Sequence, residues 1–349
     1  MTEPKKPLSF GNLLAKVVLA EKCAGCAACV SVCPVGCLDY VEGKPKLIKK
    51  CANCGICVTI CPQYEYTQPS LEESIFGRQK KPEEEFGVYR RIVIAQASDE
   101  KILQACQDGG VVTALLSYAL EKEIIDGAAV SGVSQDKPLY PVPRLVTTPE
   151  EVLECSGTRY TYSPNLLAFQ EGINQNKKRL AFVGTPCQIH ALRKIEDLLF
   201  KYVSPLQFAI GLLCTESFTY EGLMQKHIQG ELGINLGDIE KINIKAKLLV
   251  TTKSGETKVI PLKEAKQYTR KSCTICKDFS AELADISVGG LGLSGWTFTI
   301  LRTEKGEELF DGAVRKGFLK TRPVEEEKRA FDLLLRLSKI KREKAGVSL

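Results

Sequence analysis

The stretch CAGCAACVSVCPVGCLDYVEGKPKLIKKCANCGICVTICP, residues 23–62, contains two cysteine runs of identical spacing. Each run has the form CxxCxxCxxxCP, and the second repeats the first at an offset of 28 residues, the separation of Cys23 and Cys51. The equivalent positions are Cys23 and Cys51, Cys26 and Cys54, Cys29 and Cys57, and Cys33 and Cys61. A repeat of this kind predicts a module built from two similar halves.

The spacing within each run is typical of thiolate ligands to a 4Fe-4S cluster. Three cysteines on a tight loop hold three corners of the cubane, and the fourth, beside proline, points to the other cluster. Zinc is the alternative for thiolate ligands without imidazole, but zinc sites ordinarily use two CxxC pairs without a third cysteine in each loop. We therefore predict a small dicluster ferredoxin domain of bacterial type with crossed ligation. One cluster is expected on Cys23, Cys26, Cys29 and Cys61, and the other on Cys51, Cys54, Cys57 and Cys33. Cys37 is surplus and is expected to be a small core residue.

The composition of the whole chain favours metal ligation in a reducing compartment. The 349 residues, 44% of them apolar, suffice for about two globular domains. Fifteen cysteines without an export signal are not expected to form a disulfide framework. The only histidines, His190 and His227, argue against His-rich zinc or copper sites. The net charge of +6 is spread over mixed-sign runs, which predicts no nucleic-acid binding. No apolar run reaches the roughly 18 residues of a membrane span.

The rest of the chain is expected to form a larger mixed α/β domain. Residues 1–67 are assigned to the ferredoxin domain, 68–88 to a charged linker, 89–322 to the second domain, and 323–349 to a C-terminal basic helix. Strands are predicted at 91–98, 127–133, 180–184, 207–213, 241–250 and 257–262, and helices at 109–125, 149–155, 163–174, 186–199 and 219–231. This alternation indicates an α+β or α/β fold. The basic helix is expected to pack on the domain, with docking to a partner or a membrane surface as the alternative.

The remaining motifs are ambiguous when each is taken alone. An isolated cysteine such as Cys187 or Cys214 is more often a core residue than a ligand, and the pair Cys273 and Cys276 fits zinc, a redox disulfide or half of a cluster site. The glycines of GLGLSG, residues 290–295, match GxGxxG, but a strand-like WTFTILRT follows where a dinucleotide site needs a helix.

Five ordered segments resemble one known family. They are DGGVVTALLSYALE (108–121), SGTRYTYSPN (156–165), FVGTPCQIHALR (182–193), GLLCTES (211–217) and CTICKDFSAELADISVGGLG (273–292). Together they are similar to the beta subunits of coenzyme F420 hydrogenases and dehydrogenases over about residues 90–320. With a ferredoxin module in front, the architecture most resembles the electron-input subunit of dehydrogenases that oxidise reduced coenzyme F420.

The resemblance implies FAD in the second domain and a third 4Fe-4S cluster beside it. The cluster ligands implied are Cys187, Cys214, Cys273 and Cys276, which leaves Cys37, Cys106 and Cys155 as structural thiols. The residues implied for cofactor binding are Gly109, Gly110, Val111, Thr113, Ser156, Gly157, Thr158, Arg159, Tyr160, Ser163, Asn165, Gly289, Gly290 and Lys271. Glycines before a helix can admit a pyrophosphate to backbone N–H groups, although a plain helix start fits them equally. Arg270, Lys271 and Lys277 either attract the anionic tail of coenzyme F420 or are surface charges.

The function implied is the oxidation of reduced coenzyme F420 by hydride transfer to FAD. Electrons would then pass singly through three 4Fe-4S clusters to other subunits of a membrane-associated complex with a quinone or methanophenazine acceptor, or to ferredoxin. No side chain is expected to act as a catalytic nucleophile or acid. The expected location is the cytoplasmic face of the membrane. The alternatives are the F420-linked beta subunit of a hydrogenase, formate dehydrogenase or ferredoxin-dependent reductase, or a non-catalytic dicluster carrier.

Overall fold

A mixed eight-stranded sheet organises most of the chain. The computed structural model describes residues 8–65, 67–244 and 246–347. The strands are β1 Leu38–Val41, β2 Lys44–Leu47, β3 Arg91–Ala97, β4 Gly127–Val133, β5 Pro141–Val146, β6 Leu180–Gly184, β7 Leu206–Leu212, β8 Ile239–Ile244, β9 Lys247–Thr252, β10 Thr257–Pro261, β11 Ile286–Gly289, β12 Thr297–Leu301 and β13 Leu319–Arg322. The large sheet has the order β13-β3-β12-β11-β7-β6-β4-β5 and is parallel from β11 to β4. Its margins are antiparallel. This arrangement confirms the predicted mixed α/β class.

Helices lie on both faces of this sheet. They are α1 Phe10–Leu13, α2 Ala28–Ser31, α3 Ile56–Thr59, α4 Gln68–Phe76, α5 Glu100–Ala105, α6 Val111–Glu121, α7 Pro149–Glu154, α8 Leu166–Asn174, α9 Pro186–Leu198, α10 Phe200–Val203, α11 Leu262–Ala265, α12 Lys271–Thr274, α13 Glu304–Arg315 and α14 Lys328–Val347. Segments Leu14–Val18 and Tyr220–Glu231 are π-helical, and Leu236–Asp238, Lys266–Tyr268 and Val324–Glu327 are 3₁₀ turns. None of the helices in the described ranges combines the length and apolar content needed to cross a bilayer.

Alternate residues of the central strands face two different cores. In β6, Leu180 and Phe182 pack with α8 and α9, whereas Ala181 and Val183 pack on the opposite face with α6 and α13. Side chains of a strand point alternately to the two faces, so a strand covered on both sides is apolar throughout. That requirement explains why LAFVG reads as a continuous apolar run in the sequence.

Two local expectations from the sequence were wrong. The predicted strand at 241–250 is two antiparallel strands, β8 and β9, because the chain reverses at Ala246, which has a left-handed φ of 59°. Residues 68–88, expected to lack a regular element, begin with helix α4. Pro69 lies in the first turn of that helix, where a missing N–H costs no hydrogen bond, so it does not break the helix.

The cysteine-rich module packs on the second domain through a continuous core. Leu13 and Ile60 of the module share one apolar cluster with Leu166 and Ile189 of α8 and α9. Polar contacts cross the same boundary: the Tyr202 hydroxyl donates to the Ser31 carbonyl at 2.6 Å. Buried apolar contact supplemented by hydrogen bonds holds the module in a fixed position relative to the sheet.

The C-terminal helix α14 covers part of one sheet face. Its Ala330 and Leu334 are buried against Ile94 and Phe298 of the sheet. The exposed face carries several of the charges that make the segment read as basic, including Lys339. The helix therefore packs on the domain, and one of its lysines reaches an interior site described below.

A buried ion pair joins helix α9 to the start of β11. The Asp285 carboxylate, 0% exposed, lies 2.9 Å from Nη2 of Arg193, which is 2% exposed. It also accepts the Ala209 N–H at 2.7 Å and the Thr303 hydroxyl at 2.8 Å. Burial alone would raise the pKa of Asp285, but the Arg193 guanidinium outweighs it and the pKa is lowered.

Asp285→Ala is expected to destabilise the protein by about 3–5 kcal/mol, because it leaves the buried Arg193 guanidinium without its buried partner. The check is the denaturant midpoint of the variant beside that of Asp136→Ala, which truncates an exposed loop carboxylate. The explanation fails if both variants unfold at the wild-type denaturant concentration.

Candidate redox site

The first cysteine group consists of Cys23, Cys26, Cys29 and Cys61. Cys26 and Cys29 are buried, and their thiol pKa values are raised first by burial and then by neighbouring thiols of the same group. Cys61 has its pKa raised to about 11, again by burial first, and Cys23 is among its neighbours. Clustered thiols that repel each other as thiolates are a donor set suited to a metal cluster, whose positive charge stabilises the deprotonated form.

The second group consists of Cys33, Cys51, Cys54 and Cys57. The pKa of Cys57 is raised to about 12 by burial, with further contributions from Cys51, Cys54 and Cys33. Its neighbours thus include the fourth cysteine of the other run, as the crossed assignment requires. Cys37 lies beside this group, its Sγ 3.4 Å from that of Cys33 and its side chain buried. This proximity was not anticipated, although the ligation itself remains a prediction.

The third group consists of Cys187, Cys214, Cys273 and Cys276. Cys187 follows β6, and Cys214 follows the neighbouring parallel strand β7, so the topology brings both to one edge of the sheet. The pKa of Cys276 is raised to about 12 by burial, and Cys187 adds to the shift. The pKa of Cys214 is raised by burial, with contributions from Cys273, Cys187 and Cys276. The structure therefore assembles the four cysteines that sequence spacing could not connect.

The three groups lie in series. Cys29 of the first group interacts with Cys57 of the second, and Cys23 and Cys26 of the first interact with Cys187 of the third. The first group is thus the middle one. Cys54 of the second group is exposed at the surface. We call the third, first and second groups the inner, middle and outer groups from here on.

Tyr162 and Arg270 fill the space between the inner and middle groups. The Tyr162 hydroxyl lies 3.4 Å from Sγ of Cys187, and the Arg270 guanidinium lies 4.0 Å from the centre of the Tyr162 ring. The same guanidinium donates to the Ala24 carbonyl at 2.9 Å, within the loop that carries Cys23. Arg270 is therefore an interior cation between two cysteine groups. Its guanidinium is not placed as a surface charge.

Lys341 places a second interior cation at the inner group. Its Nζ donates to the carbonyls of Cys214, at 3.2 Å, and Thr215. The side chain is 8% exposed. Burial opposes the charge, but the thiols of Cys276 and Cys214 outweigh it and the pKa of Lys341 is raised. The sequence offered no signal for this contact, because Lys341 looks like any other cation of a basic helix.

The glycines before helix α6 have structural reasons of their own. A Cβ on Gly109 would come within 2.7 Å of the Ala95 carbonyl, and Gly110 has a φ of +70°. Gly109 also donates its N–H to Thr297 Oγ1 at 3.0 Å. Both positions thus require glycine whether or not a cofactor approaches. Val111, which follows, is buried in the core.

Part of the 156–165 motif lies against the start of helix α6. Thr113 Oγ1 is 3.1 Å from Ser156 Oγ, and Arg159 donates to the carbonyls of Ser156 and Gly157. Tyr160 turns the other way, and its hydroxyl accepts the Ile244 N–H at 3.1 Å. The structure thus brings the two predicted flavin segments together.

Other predicted cofactor residues are used in internal hydrogen bonds or close packing. Asn165 donates to the Val183 carbonyl at 2.8 Å and accepts from Ser163, so both residues support the loop that precedes α8. A Cβ on Gly290 would come within 2.3 Å of the Asp108 carboxylate, and one on Gly289 would meet Leu213. Thr158 is exposed and lies in the same loop as Gly157.

Lys271 lies at the surface. Its ammonium pairs with Glu21 at 2.6 Å, and both side chains are more than half exposed. This contact bridges helix α12 to the segment before Cys23. Of the basic residues flanking the CxxC pair, Arg270 points inward and Lys271 points outward.

Unsatisfied polar atoms mark the same two segments. Buried atoms without a hydrogen-bond partner include Nε2 of Gln107, Nε of Arg159 and Oγ1 of Thr161. Buried polar groups are nearly always paired, so three orphaned atoms in adjacent segments fit a bound polar molecule. These residues suit the phosphates, ribityl hydroxyls and ring edge of a flavin nucleotide. Sequence reasoning missed Gln107 and Thr161, which stand directly beside or within the quoted motifs.

Comparison with known proteins gives two matches to family models. Residues 92–170 match the N-terminal model, and residues 177–327 the C-terminal model, of the coenzyme F420 hydrogenase/dehydrogenase beta subunit. The chain is 39% identical over 269 residues to the coenzyme F420 hydrogenase subunit beta of Methanococcus voltae, covering 74% of this chain and 93% of that protein. It is 32% identical over 306 residues to the F-type subunit of the F420H2 dehydrogenase of Methanosarcina mazei, covering 85% and 84%.

A solved structure shares the fold. A chain in the F420-reducing [NiFe] hydrogenase complex from Methanosarcina barkeri superposes with a TM-score of 0.73 at 35% identity. The match covers 77% of this chain and 94% of that one.

Proposed function

The chain belongs to the family of beta subunits of coenzyme F420 hydrogenases and dehydrogenases, and from this premise we propose that it is the subunit through which reduced coenzyme F420 delivers electrons. It is an F420-linked electron-transfer subunit and an oxidoreductase of that family. The finer proposal is that the second domain binds FAD, that the three cysteine groups bind 4Fe-4S clusters, and that electrons leave singly at the outer group.

The observation that carries this proposal is the serial order of the three cysteine groups. The inner group stands at the carboxyl edge of the sheet, and the outer group reaches the surface at Cys54. When bound, FAD supplies hydride exchange with reduced coenzyme F420, and the clusters supply one-electron acceptors. A serial arrangement that ends at the surface suits passage of electrons to another protein.

The residues of this chain contribute binding, orientation and exclusion of water. Gln107, Arg159 and Thr161 would hold the flavin nucleotide through polar atoms that lack other partners. Arg270 and Lys341 place positive charge beside the groups proposed to bind clusters. No side chain is assigned proton transfer or nucleophilic attack, because alignment of two flavin-like rings meets the geometric needs of hydride transfer.

The partners proposed are the remaining subunits of a membrane-associated dehydrogenase with a quinone or methanophenazine acceptor, with this chain on the cytoplasmic face. Because this chain offers no spanning helix in its described part, other subunits would carry the step within the membrane. The likeness to the Methanosarcina mazei dehydrogenase protein over 85% of the chain supports this choice over a hydrogenase partner, whose beta subunit matches 74%. Affinity purification from native membranes tests the partner: co-purified dehydrogenase subunits support it, and hydrogenase subunits overturn it.

Arg159→Ala is expected to weaken FAD binding about 10- to 100-fold, the loss corresponding to a charge-assisted hydrogen bond of about 1.5–3 kcal/mol. The measurement is a titration of deflavinated protein with FAD, followed by flavin fluorescence. Arg179→Ala, which removes an exposed guanidinium outside this motif, is the control and should bind FAD normally. Unchanged FAD affinity in Arg159→Ala would show that the arginine only supports its own loop.

A further inference from the structure

The outer cysteine group lies under a surface that is both apolar and basic. Cys54 is the exposed cysteine among the twelve proposed ligands. The apolar side chains nearby are Val35, 48% exposed, Leu47, 44%, and Ile48, 52%. Val35 lies between Cys33 and Cys37 in the chain, and the Ile48 N–H donates to the Cys37 carbonyl at 2.9 Å. These aliphatic groups therefore adjoin the outer group directly.

Lysines surround the aliphatic patch. The segment 44–50, KPKLIKK, contains Lys44, Lys46, Lys49 and Lys50, all exposed, and no acidic residue. Across the hairpin the carboxylates are Asp39 and Glu42, which leaves an excess of two positive charges (four minus two). Neither hydrogen bonds nor ion pairs engage the ammonium groups of Lys46, Lys49 and Lys50 among the described residues. Their charge is available to an external partner.

We propose that this surface, defined by Val35, Lys46, Leu47, Ile48, Lys49 and Lys50 and called the outer face, docks an electron-transfer protein whose contact surface is acidic around an apolar centre. The inference rests on the proposed function, since it assumes that electrons leave at the outer group. Complementary charge raises association rates of such partners and fixes their orientation, while the apolar centre excludes water from the contact.

A protein partner fits this face better than an anionic lipid surface. A basic apolar patch can also attract lipid headgroups. However, membrane-interface surfaces are rich in Trp and Tyr, whereas the outer face has neither. Tyr40, the aromatic residue of the adjacent hairpin, turns its hydroxyl inward to the Gly25 carbonyl at 2.9 Å. An exposed cluster ligand at the centre of the face also requires a redox acceptor, which a lipid headgroup is not.

The test uses holoprotein reduced with dithionite and mixed in a stopped-flow instrument with an oxidised acidic dicluster ferredoxin. In the triple variant Lys46→Glu, Lys49→Glu, Lys50→Glu, the second-order rate constant at low ionic strength should fall about tenfold or more. Its dependence on salt should reverse from inhibition to acceleration, because attraction becomes repulsion. With basic cytochrome c as acceptor, the same variant should react faster than wild type.

The matched control is Lys253→Glu, Lys258→Glu, Lys263→Glu, which makes the same change of net charge at exposed lysines in the β8–β10 lobe. This variant should keep a wild-type rate and salt dependence. Equal loss in both triple variants would overturn the proposal, because it would reflect net charge and not the outer face. It would also be overturned if the outer-face variant kept its rate with ferredoxin but lost binding to phosphatidylserine vesicles.

Failure of this inference is separable from failure of the proposed function. Reduction by dithionite bypasses coenzyme F420 and FAD, and iron content is measured on each preparation. A variant that still accepts electrons from reduced coenzyme F420 but shows no change with the ferredoxin refutes the outer face alone. Protein without about twelve irons per chain refutes the three-cluster proposal instead.

Discussion

Cys276→Ala is expected to reduce the iron content from about twelve to about eight per chain, because the inner group loses one of its four proposed cluster ligands. The middle and outer groups contain none of the inner cysteines, so their eight irons should remain. Reduced coenzyme F420 should still bleach bound FAD in this variant. Electrons should then fail to reach the ferredoxin-type clusters, and transfer to an external acceptor should fall to background.

Iron and sulfide quantification and anaerobic stopped-flow spectra separate these two effects. The matched control is Cys155→Ala, which removes a thiol whose Sγ lies 4.0 Å from the Arg144 guanidinium. It should keep about twelve irons and normal transfer, as expected of a structural thiol. Retention of the full iron content by Cys276→Ala would contradict the assignment of the inner group.

Lys341→Met is expected to lower the reduction potential of the inner cluster. Reduction adds a negative charge to a cluster that is already anionic, and a buried ammonium beside it stabilises the reduced form. Its removal should shift the one-electron equilibrium at least about tenfold toward the oxidised form, which corresponds to about 59 mV. Methionine preserves most of the side-chain volume, so packing against Cys214 is largely kept.

The measurement is a redox titration followed by electron paramagnetic resonance, which does not depend on turnover. Lys339→Met removes an exposed charge from the same helix and should leave the potential unchanged, because solvent screens it. Lys341→Arg should restore most of the potential. A common shift in the Lys341→Met and Lys339→Met variants would indicate a general effect of helix charge and would contradict the role given to Lys341.

The two ferredoxin-type runs could be predicted from the sequence because their geometry is local. All eight cysteines lie within residues 23–62, and the loop spacing fixes which thiols can share a site. Strands such as β6 and helices such as α9 were likewise predicted, because their hydrophobic periodicity depends on neighbouring residues. The family resemblance supplied the grouping of the inner cysteines, and the fold brings them together.

The interior cations could not be predicted, because they act across long separations in the chain. Lys341 contacts Thr215 at a separation of 126 positions, and Arg270 reaches Ala24 at a separation of 246. A basic residue carries no local sign that its side chain will turn toward a buried site. Composition likewise made residues 68–88 look like a linker, since their charged partners are remote. Gln68 and Lys80 both contact Glu282, a residue more than 200 positions away.

The orphaned polar atoms show a different limit of sequence reasoning. Gln107 and Thr161 look like ordinary loop residues, and only the folded structure reveals that their side-chain polar atoms are buried without partners. The glycines near them, in contrast, were noticed in the sequence for a reason that the structure does not require. Steric contact with the Ala95 carbonyl alone explains Gly109.

The central claim is that three clusters and one flavin form a single path that starts at reduced coenzyme F420. Anaerobic quantification of iron, sulfide and released flavin on reconstituted protein, followed by addition of reduced coenzyme F420, tests it most directly. We expect about twelve irons and about one FAD per chain, with bleaching of both flavin and cluster absorbance. About eight irons, no flavin and no bleaching would contradict the claim and would leave a dicluster electron carrier.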